Sequence, residues 1–400
     1  MMMADFEIDV ALVGGCGHVG LPLGVALANT GLRVTLVDTS DIAVQLVSIG
    51  EAPFEEPGLG DVLRTVLGRG MISATTDPKE VYKARTIIVI IGTPVDEHQN
   101  PEPHKVLDAI RELIPFMRSG QQLILRSTLY PGTTALVEGM LHEENMHVGV
   151  SFCPERIAEG KAMQELYTLP QIVSARTDDA FQHASELFGR LTLSVVRLSP
   201  EEAELAKLFT NTWRYIKFAA ANQLFMMAQN FGLDYERIRQ GLRHDYPRAA
   251  DLPSAGFAAG PCLLKDTLQL AAFNNNDFIL GHAAINVNEG FPLYVVSQLA
   301  QRYDLSAMTI GILGMAFKGE SDDIRSSLAY KLKRILRYRA RGVLTADPYV
   351  KADTELVPEE ELIQRSDLVI IGAPHIRYRE LVIPGPIIDV WALRGEASGI

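Results

Sequence analysis

The chain has 400 residues, 47% hydrophobic and 22% charged, a composition that excludes a disordered or fibrous protein and predicts two or three globular domains. Lys and Arg number 37 against 49 Asp and Glu, and the resulting net charge of −12, with no basic tract, excludes a general affinity for nucleic acid. Cys16, Cys153 and Cys262 are too few and too far apart for a disulfide framework or a CxxC site, and the nine histidines lack ligand spacing, so no metal is expected.

The opening residues carry Asp5, Glu7 and Asp9 and do not resemble a signal peptide. No uncharged apolar run of about 18 residues predicts a membrane helix, so a cytoplasmic location and no membrane partner are expected. In chain order, Ile8 to Val13 is an apolar strand that meets a Gly-rich turn, and Leu21 to Asn29 is a helix of small residues. Strands follow at Arg33 to Val37, Thr86 to Ile91, Gln122 to Leu125 and Val148 to Phe152. This alternation predicts a mostly parallel, doubly wound α/β sheet. From Pro200 to Gly232 a long helix is expected, with Glu201, Glu202 and Glu204 at its positive end. Its length suits a helix that spans two domains or forms a subunit interface. Strands at Met308 to Leu313, Gly342 to Ala346 and Leu368 to Ile371, with a helix at Leu328 to Tyr338, predict a second Rossmann-like domain.

The first turn reads Gly15-Cys16-Gly17-His18-Val19-Gly20, a GxGxxG between a strand and a helix. Gly15 is expected to allow the tight turn, Gly17 the approach of a pyrophosphate, and Gly20 close packing of helix and strand. The helix N-terminus supplies amide donors to the phosphates. Asp38 ends the next strand 18 residues after Gly20, where a carboxylate accepts from ribose hydroxyls and repels a 2′-phosphate. NAD rather than NADP is therefore the expected cofactor.

Three groups of residues are candidates for chemistry. Cys262 follows small residues (Gly256-Phe257-Ala258-Ala259-Gly260-Pro261) and precedes Lys265 and Asp266. A thiolate there can hold an aldehyde covalently while a second hydride leaves, so that an alcohol is carried on to an acid through a thioester. The plainer reading is an inert structural cysteine. Lys207 and Asn211 lie four apart on the long helix and share one face, where they suit an oxyanion or a water, or else simply cover a helix surface. Glu155 and Glu159, after the Val148 to Phe152 strand, suit a base or sugar-hydroxyl ligands, or are surface acids.

These segments, taken together, resemble the UDP-glucose/GDP-mannose dehydrogenase family over nearly the whole chain. The resemblance rests on the order GxGxxG; Gly92-Thr93-Pro94; Ser127-Thr128 with Pro131-Gly132-Thr133; Pro154-Glu155-Arg156-Ile157; Glu204-x-x-Lys207 with Asn211; Gly260-x-Cys262 with Lys265-Asp266; and Gly314-Met315-Ala316-Phe317-Lys318 followed by Asp322-Asp323-Ile324-Arg325-x-Ser327. It implies two Rossmann-like domains joined by a long central helix and a helical dimerisation domain: an NAD domain over 1–198, a dimer domain over 199–303 and a UDP-sugar domain over 304–400. It implies Cys262 as nucleophile, with Lys207, Asn211 and Asp266 around the reacting carbon, Thr128 holding the water and Glu155 as base for thioester hydrolysis. Cofactor contacts would come from Gly15, Gly17, His18, Val19, Gly20, Asp38, Thr93, Pro94 and Thr128. Substrate contacts would come from Glu155, Arg156, Ile157, Glu159, Lys207, Asn211, Phe257, Gly260, Phe317, Lys318 and Arg325, and Arg248 would reach across a homodimer.

The segments Glu165-Leu166, Leu169-Pro170-Gln171-Ile172 and Tyr246-Pro247-Arg248 resemble members that oxidise UDP-N-acetylhexosamines, typically UDP-N-acetylmannosamine. Cys262-Leu-Leu-Lys265-Asp266 resembles instead the UDP-glucose branch, and Ala258-Ala259-Gly260 thins the family's Gly-rich run. A two-electron hydroxyacid dehydrogenase and a non-catalytic NAD-binding protein are the other readings. Stoichiometry separates the first two: two NADH per sugar for the thioester route, one for simple hydride transfer.

Overall fold

The computed structural model describes residues 6–93, 95, 96 and 100–395. They form two compact units, divided between Phe209 and Thr210.

The first unit contains β1 (Ile8–Val13), α1 (Gly20–Asn29), β2 (Val34–Val37), α2 (Asp41–Ser48), α3 (Leu59–Gly68), β3 (Ile72–Thr75), β4 (Ala84–Val89), α4 (His104–Leu113), β5 (Gln122–Leu125), α5 (Thr133–Glu143), β6 (Gly149–Phe152), α6 (Ala162–Thr168), β7 (Gln171–Ala175), α7 (Asp178–Phe188) and β8 (Val195–Leu198). The strands join in one sheet in the order β3-β2-β1-β4-β5-β6-β7-β8, all pairs parallel except β6 with β7. The order reverses at β1, which pairs with both β2 (Val10 opposite Val34) and β4 (Val10 opposite Thr86). This is the switch point at which open α/β sheets bind ligands. The central strands β1, β2, β4 and β5 are mostly apolar because both faces are covered. Val10, Leu12, Leu36, Ile88 and Ile124 pack into one core, and their neighbours Ala11, Val37, Ile87, Leu123 and Leu125 into another.

The strand expected over Thr86 to Ile91 is instead β4, ending at Val89. The N–H of Ile91 donates to Ser127 Oγ at 2.8 Å, which turns the backbone out of the ladder.

Helix α8 (Pro200–Asn230) begins in the first unit and ends in the second. Ser199 starts it as a capping box: Glu202 N–H donates to Ser199 Oγ (3.3 Å), and Ser199 N–H donates to the Glu202 carboxylate (2.8 Å). It stops two residues before the expected Gly232, whose φ of +69° closes a Schellman turn in which Leu233 N–H reaches Ala228 O and Gly232 N–H reaches Gln229 O.

The second unit continues with α9 (Tyr235–Arg243), α10 (Leu263–Phe273) and α11 (Ile279–Arg302), then β9 (Thr309–Leu313), α12 (Leu328–Arg337), β10 (Gly342–Ala346), α13 (Glu359–Arg365), β11 (Leu368–Ile371) and β12 (Ile387–Ile388). Its parallel sheet runs β10-β9-β11-β12, the same local order as β2-β1-β4-β5. The likeness extends to the turns. Gly14 N–H donates to Val37 O, and Gly314 N–H donates to Ala346 O, each at 2.8 Å. Asp38 and Asp347 both follow the neighbouring strand and accept from the turn.

Candidate active site

The dinucleotide turn is built by β1, α1 and the end of β2. The residue that makes it tight is Gly14, not Gly15: its φ is +74°, and a Cβ there would lie 1.8 Å from Ile90 O. Gly15 is required for packing instead, since a Cβ would sit 2.8 Å from the Leu36 side chain. Gly20 lies against the turn, with Gly14 O only 2.4 Å from a Cβ built there. At Gly17 a Cβ meets nothing closer than Gly14 O at 3.9 Å, which leaves that side of the turn open for a ligand. Asp38 accepts from Cys16 N–H (2.9 Å) and Ser40 N–H (3.1 Å), so its half-buried carboxylate is fixed beside the turn. An anion-seeking glycine turn with an oriented acid at the end of β2 fits a dinucleotide with free ribose hydroxyls. Val19 is the N-cap of α1. Thr93 is buried, Thr128 is half-buried after β5, and Pro94 lies outside the described residues.

The structure brings His18 of this turn to Glu159. The imidazole packs 4.1 Å from the Phe54 ring, and its Nδ1 lies 3.9 Å from Glu159 Oε1. Two residues that sequence reasoning missed hold the surroundings. Glu56, buried, accepts from Gly160 N–H (2.8 Å) and Ala162 N–H (2.9 Å), which fixes the turn after Glu159. Arg126, with 1% of its side chain exposed, pairs with Glu155, donates to Cys153 O (3.0 Å) and lies over the Phe188 ring.

Glu155 is thereby committed. One carboxylate oxygen takes the Arg126 guanidinium, and the other accepts from the N–H groups of Arg156 (2.6 Å) and Ile157 (2.8 Å). Three of the roughly four acceptor directions of the carboxylate are thereby used. Arg156 donates to Pro170 O, and Ile157 packs on the core of this unit, so both brace the segment. Glu204 of α8, also buried, accepts from Gly132 N–H, Thr134 N–H and the Thr134 hydroxyl at 2.6–2.8 Å, capping α5. Lys207, one turn further along α8, is buried as well.

In the second unit, Cys262 is the N-cap of α10 and is exposed, with the positive end of the helix behind it. The other two cysteines are buried, and their thiols are pushed up to about 12, by burial and Asp38 at Cys16 and by burial at Cys153. Only Cys262 has the exposure a nucleophile requires. One turn into α10, the fully buried Asp266 accepts from Asn211 Nδ2 at 2.6 Å. Its second oxygen has no hydrogen-bond partner among the described residues, and Lys265 Nζ lies 3.7 Å away. A buried carboxylate oxygen that has an ion-pair neighbour but no hydrogen bond is suited to a water or a substrate hydroxyl.

Gly260 has a φ of +109°, and a Cβ there would strike the Phe317 ring at 2.6 Å. The Cys262 segment and the Phe317 loop are therefore in direct contact. Lys318 Nζ lies 5.4 Å from the centre of the Phe317 ring. Arg325 is exposed and held by Asp323 through two of its nitrogens (2.5–2.9 Å). Phe257 is 1% exposed and packs on Phe291 and Trp391, so only its backbone is left to meet a ligand. Arg248 is exposed and donates to the Tyr246 hydroxyl at 2.7 Å.

Comparison with known proteins gives three adjoining matches to models of the UDP-glucose/GDP-mannose dehydrogenase family: its NAD binding domain over residues 9–192, its central domain over 201–290 and its UDP binding domain over 311–393. A UDP-N-acetyl-D-mannosamine dehydrogenase of Pyrococcus horikoshii is 28% identical over 384 residues, spanning 92% of this chain and 90% of that protein. An NDP-N-acetyl-D-galactosaminuronic acid dehydrogenase of Ralstonia nicotianae is 28% identical over 405 residues, spanning 94% and 93%. Among solved structures, a UDP-glucose dehydrogenase from Pyrobaculum islandicum matches with a TM-score of 0.91 at 25% identity, covering 98% of this chain and 96% of that one.

Proposed function

This chain belongs to the UDP-glucose/GDP-mannose dehydrogenase family and carries its NAD-binding domain, and from that premise we propose that it oxidises the C6 hydroxymethyl of a UDP-sugar to a carboxylate in two steps through a thioester on Cys262. The observation that carries the reading is the exposed Cys262 at the head of α10, one turn from the buried Asp266–Asn211 pair.

NAD, when bound at the glycine turn and Asp38, would supply the hydride acceptor, one molecule for each of the two oxidations, with NADH exchanged for fresh NAD between them. The chain's own residues do the rest. In the first step the alcohol loses a proton and a hydride to give the aldehyde. The Cys262 thiolate adds to that carbonyl carbon, and the oxygen, stabilised by the Lys207 ammonium and the Asn211 amide, takes up a proton to give a thiohemiacetal. Loss of a second hydride and a proton leaves the thioester. Water, oriented by Asp266 and Thr128, attacks it, the carbon–sulfur bond breaks, and carboxylate and thiolate are released. Since the Glu155 carboxylate is taken up by Arg126 and two N–H groups, we assign the removal of the water's proton to Glu159 and the bracing of its segment to Glu155. Lys318 and Arg325 meet the diphosphate and nucleotide.

The expected sugar is a UDP-N-acetylhexosamine such as UDP-N-acetylmannosamine, with UDP-glucose the second choice because relatives of both kinds match at similar identity. A panel of UDP-N-acetylmannosamine, UDP-N-acetylglucosamine, UDP-N-acetylgalactosamine, UDP-glucose and GDP-mannose, followed by NADH formed per sugar consumed, decides both points. Two NADH per sugar from one member names the substrate. One NADH per sugar would leave a two-electron dehydrogenase and remove the thioester. The cofactor reading has its own check. Asp38→Ser is expected to raise KM for NAD about 10–100-fold, the loss of one or two hydrogen bonds to a charged acceptor, and to narrow the preference over NADP. An unchanged ratio of kcat/KM values would show that the preference is set elsewhere.

The proposal includes the division into 1–198, 199–303 and 304–400, and a homodimer formed through the central helices. Phe209, Trp213, Leu224, Met227 and Phe231 of α8 and its end are exposed, more apolar surface than one helix ordinarily leaves to water. Light scattering at the mass of two chains is the expected result. A cytoplasmic location belongs to the same reading, and no helix among the described residues is long and apolar enough to cross a membrane.

A further inference from the structure

The loop from Gly314 to Ser327, which carries Phe317 and Lys318, is fastened from beneath by one buried histidine. His375 is fully buried after β11. Its Nδ1 accepts from Glu320 N–H at 2.9 Å, and since a backbone N–H can only donate, this nitrogen carries no proton. Its Nε2 therefore carries the proton and donates to Asp347 Oδ2 at 3.0 Å. That same oxygen accepts from Met315 N–H (2.6 Å) and Ala316 N–H (3.0 Å), at the start of the loop. Asp347 Oδ1 accepts from Tyr349 and Val350 N–H groups, so the carboxylate itself is immobile.

The loop is thus tied at both sides of Lys318 through one Asp347–His375 unit. The tie holds a strained conformation, since Glu320 has a φ of +54°, outside the region most side chains adopt. It is reinforced by the Glu320 side chain, which accepts from Ile376 N–H (2.8 Å) and the Tyr349 hydroxyl (2.9 Å). At the other end of the linkage, the Phe317 ring rests on Gly260, two residues from Cys262.

In the first unit the corresponding acid, Asp38, is half-buried, and on the reading of that turn as the NAD site it would meet a ribose. In the second unit the acid is wholly enclosed and its free valence is used by His375. We propose that His375 is a positioning residue that converts this ribose-binding position into an internal anchor for the Lys318 loop, and so sets affinity for the nucleotide sugar without touching it. The inference rests on the reading of Lys318 as a contact to the substrate diphosphate.

The test uses the full-length enzyme with His375→Asn, His375→Gln and His375→Leu. The Asn oxygen can stand where Nδ1 stands and keep the Glu320 bond. The Gln amide reaches Asp347 but leaves Glu320 N–H without an acceptor, and Leu fills the space with neither. UDP affinity by calorimetry and KM for the sugar substrate are expected to weaken about tenfold in the Gln and Leu variants and less than threefold in the Asn variant. KM for NAD should stay within twofold in all three. If Leu does not fold, the two polar variants carry the comparison. UDP binding equal to wild type in the Gln variant, or equally poor in Asn and Gln, overturns the positioning role while the reading of Lys318 stands. Loss of NAD affinity in parallel with UDP affinity overturns it as well. A wild-type protein with no affinity for UDP refutes the reading of Lys318, and the inference with it.

Discussion

Cys262→Ala is expected to lower kcat for nucleotide-sugar oxidation by at least about 10³-fold while leaving NAD binding intact, because it removes the atom on which the aldehyde is held. The residue stands at the head of α10 and its side chain is exposed, so the change removes chemistry with little loss of packing. Cys262→Ser refines the result. A hydroxyl at the same place is a poor nucleophile and a poor leaving group, so any oxidation that persists should stall at an ester or release aldehyde. Rapid-mixing measurement of NADH, with trapping of aldehyde by a hydrazine, reads both outcomes. An alanine variant that still yields two NADH per sugar would remove the covalent route, and the second oxidation would then have to proceed through a hydrated aldehyde.

The second large effect concerns stability rather than chemistry. Arg126→Met is expected to destabilise the first unit by about 3–5 kcal/mol, the usual cost of leaving one member of a buried ion pair alone. Arg126 and Glu155 have 1% and 11% of their side chains exposed. The Glu155 carboxylate would keep its two N–H donors but lose the guanidinium. With a denaturant slope of roughly 2 kcal/mol per molar, the urea midpoint of the first unit should fall by about 2 M. Arg126→Met with Glu155→Met together should recover most of that loss, because no charge is then left buried. A single Arg126→Met variant with an unmoved midpoint would show that the pair contributes nothing net. The pair also separates the two acids kinetically. Glu155→Gln should act mainly through stability, and Glu159→Gln should slow thioester hydrolysis and show a burst of NADH before a slow steady state. The opposite pattern would return the base to Glu155.

Much of this protein was legible from the order of its residues. The strands Ile8–Val13, Gln122–Leu125, Gly342–Ala346 and Leu368–Ile371 stand where their mostly apolar runs end, because strands packed into a sheet core need apolar side chains at most positions. The long helix from Pro200 follows from its period, and the cofactor turn with Asp38 from short-range rules of strand, glycine and helix. Where local signals competed, the sequence reading slipped by a residue or two. Gly14 rather than Gly15 took the positive φ, because two adjacent glycines offer the turn two registers and contact with Ile90 selects one. The strand expected to Ile91 ended at Val89 because a distant serine hydroxyl captured an N–H.

What only the tertiary structure decided is which polar groups are partners. Arg126 meets Glu155 from 29 residues away, Glu204 caps Thr134 from 70, Glu56 reaches Ala162 from 106 and His375 reaches Glu320 from 55. Periodicity and turn chemistry act over a few residues and say whether a side chain faces the core. They do not say which of the many possible carboxylates or amides it will find there, because that choice is made by chain segments brought together only when the sheets and helices pack. The family motifs therefore located Cys262, Asn211 and Asp266 one by one, and the fold supplied the fact that the buried Asp266 holds Asn211 and leaves its other oxygen without a hydrogen bond, one helical turn after an exposed thiol.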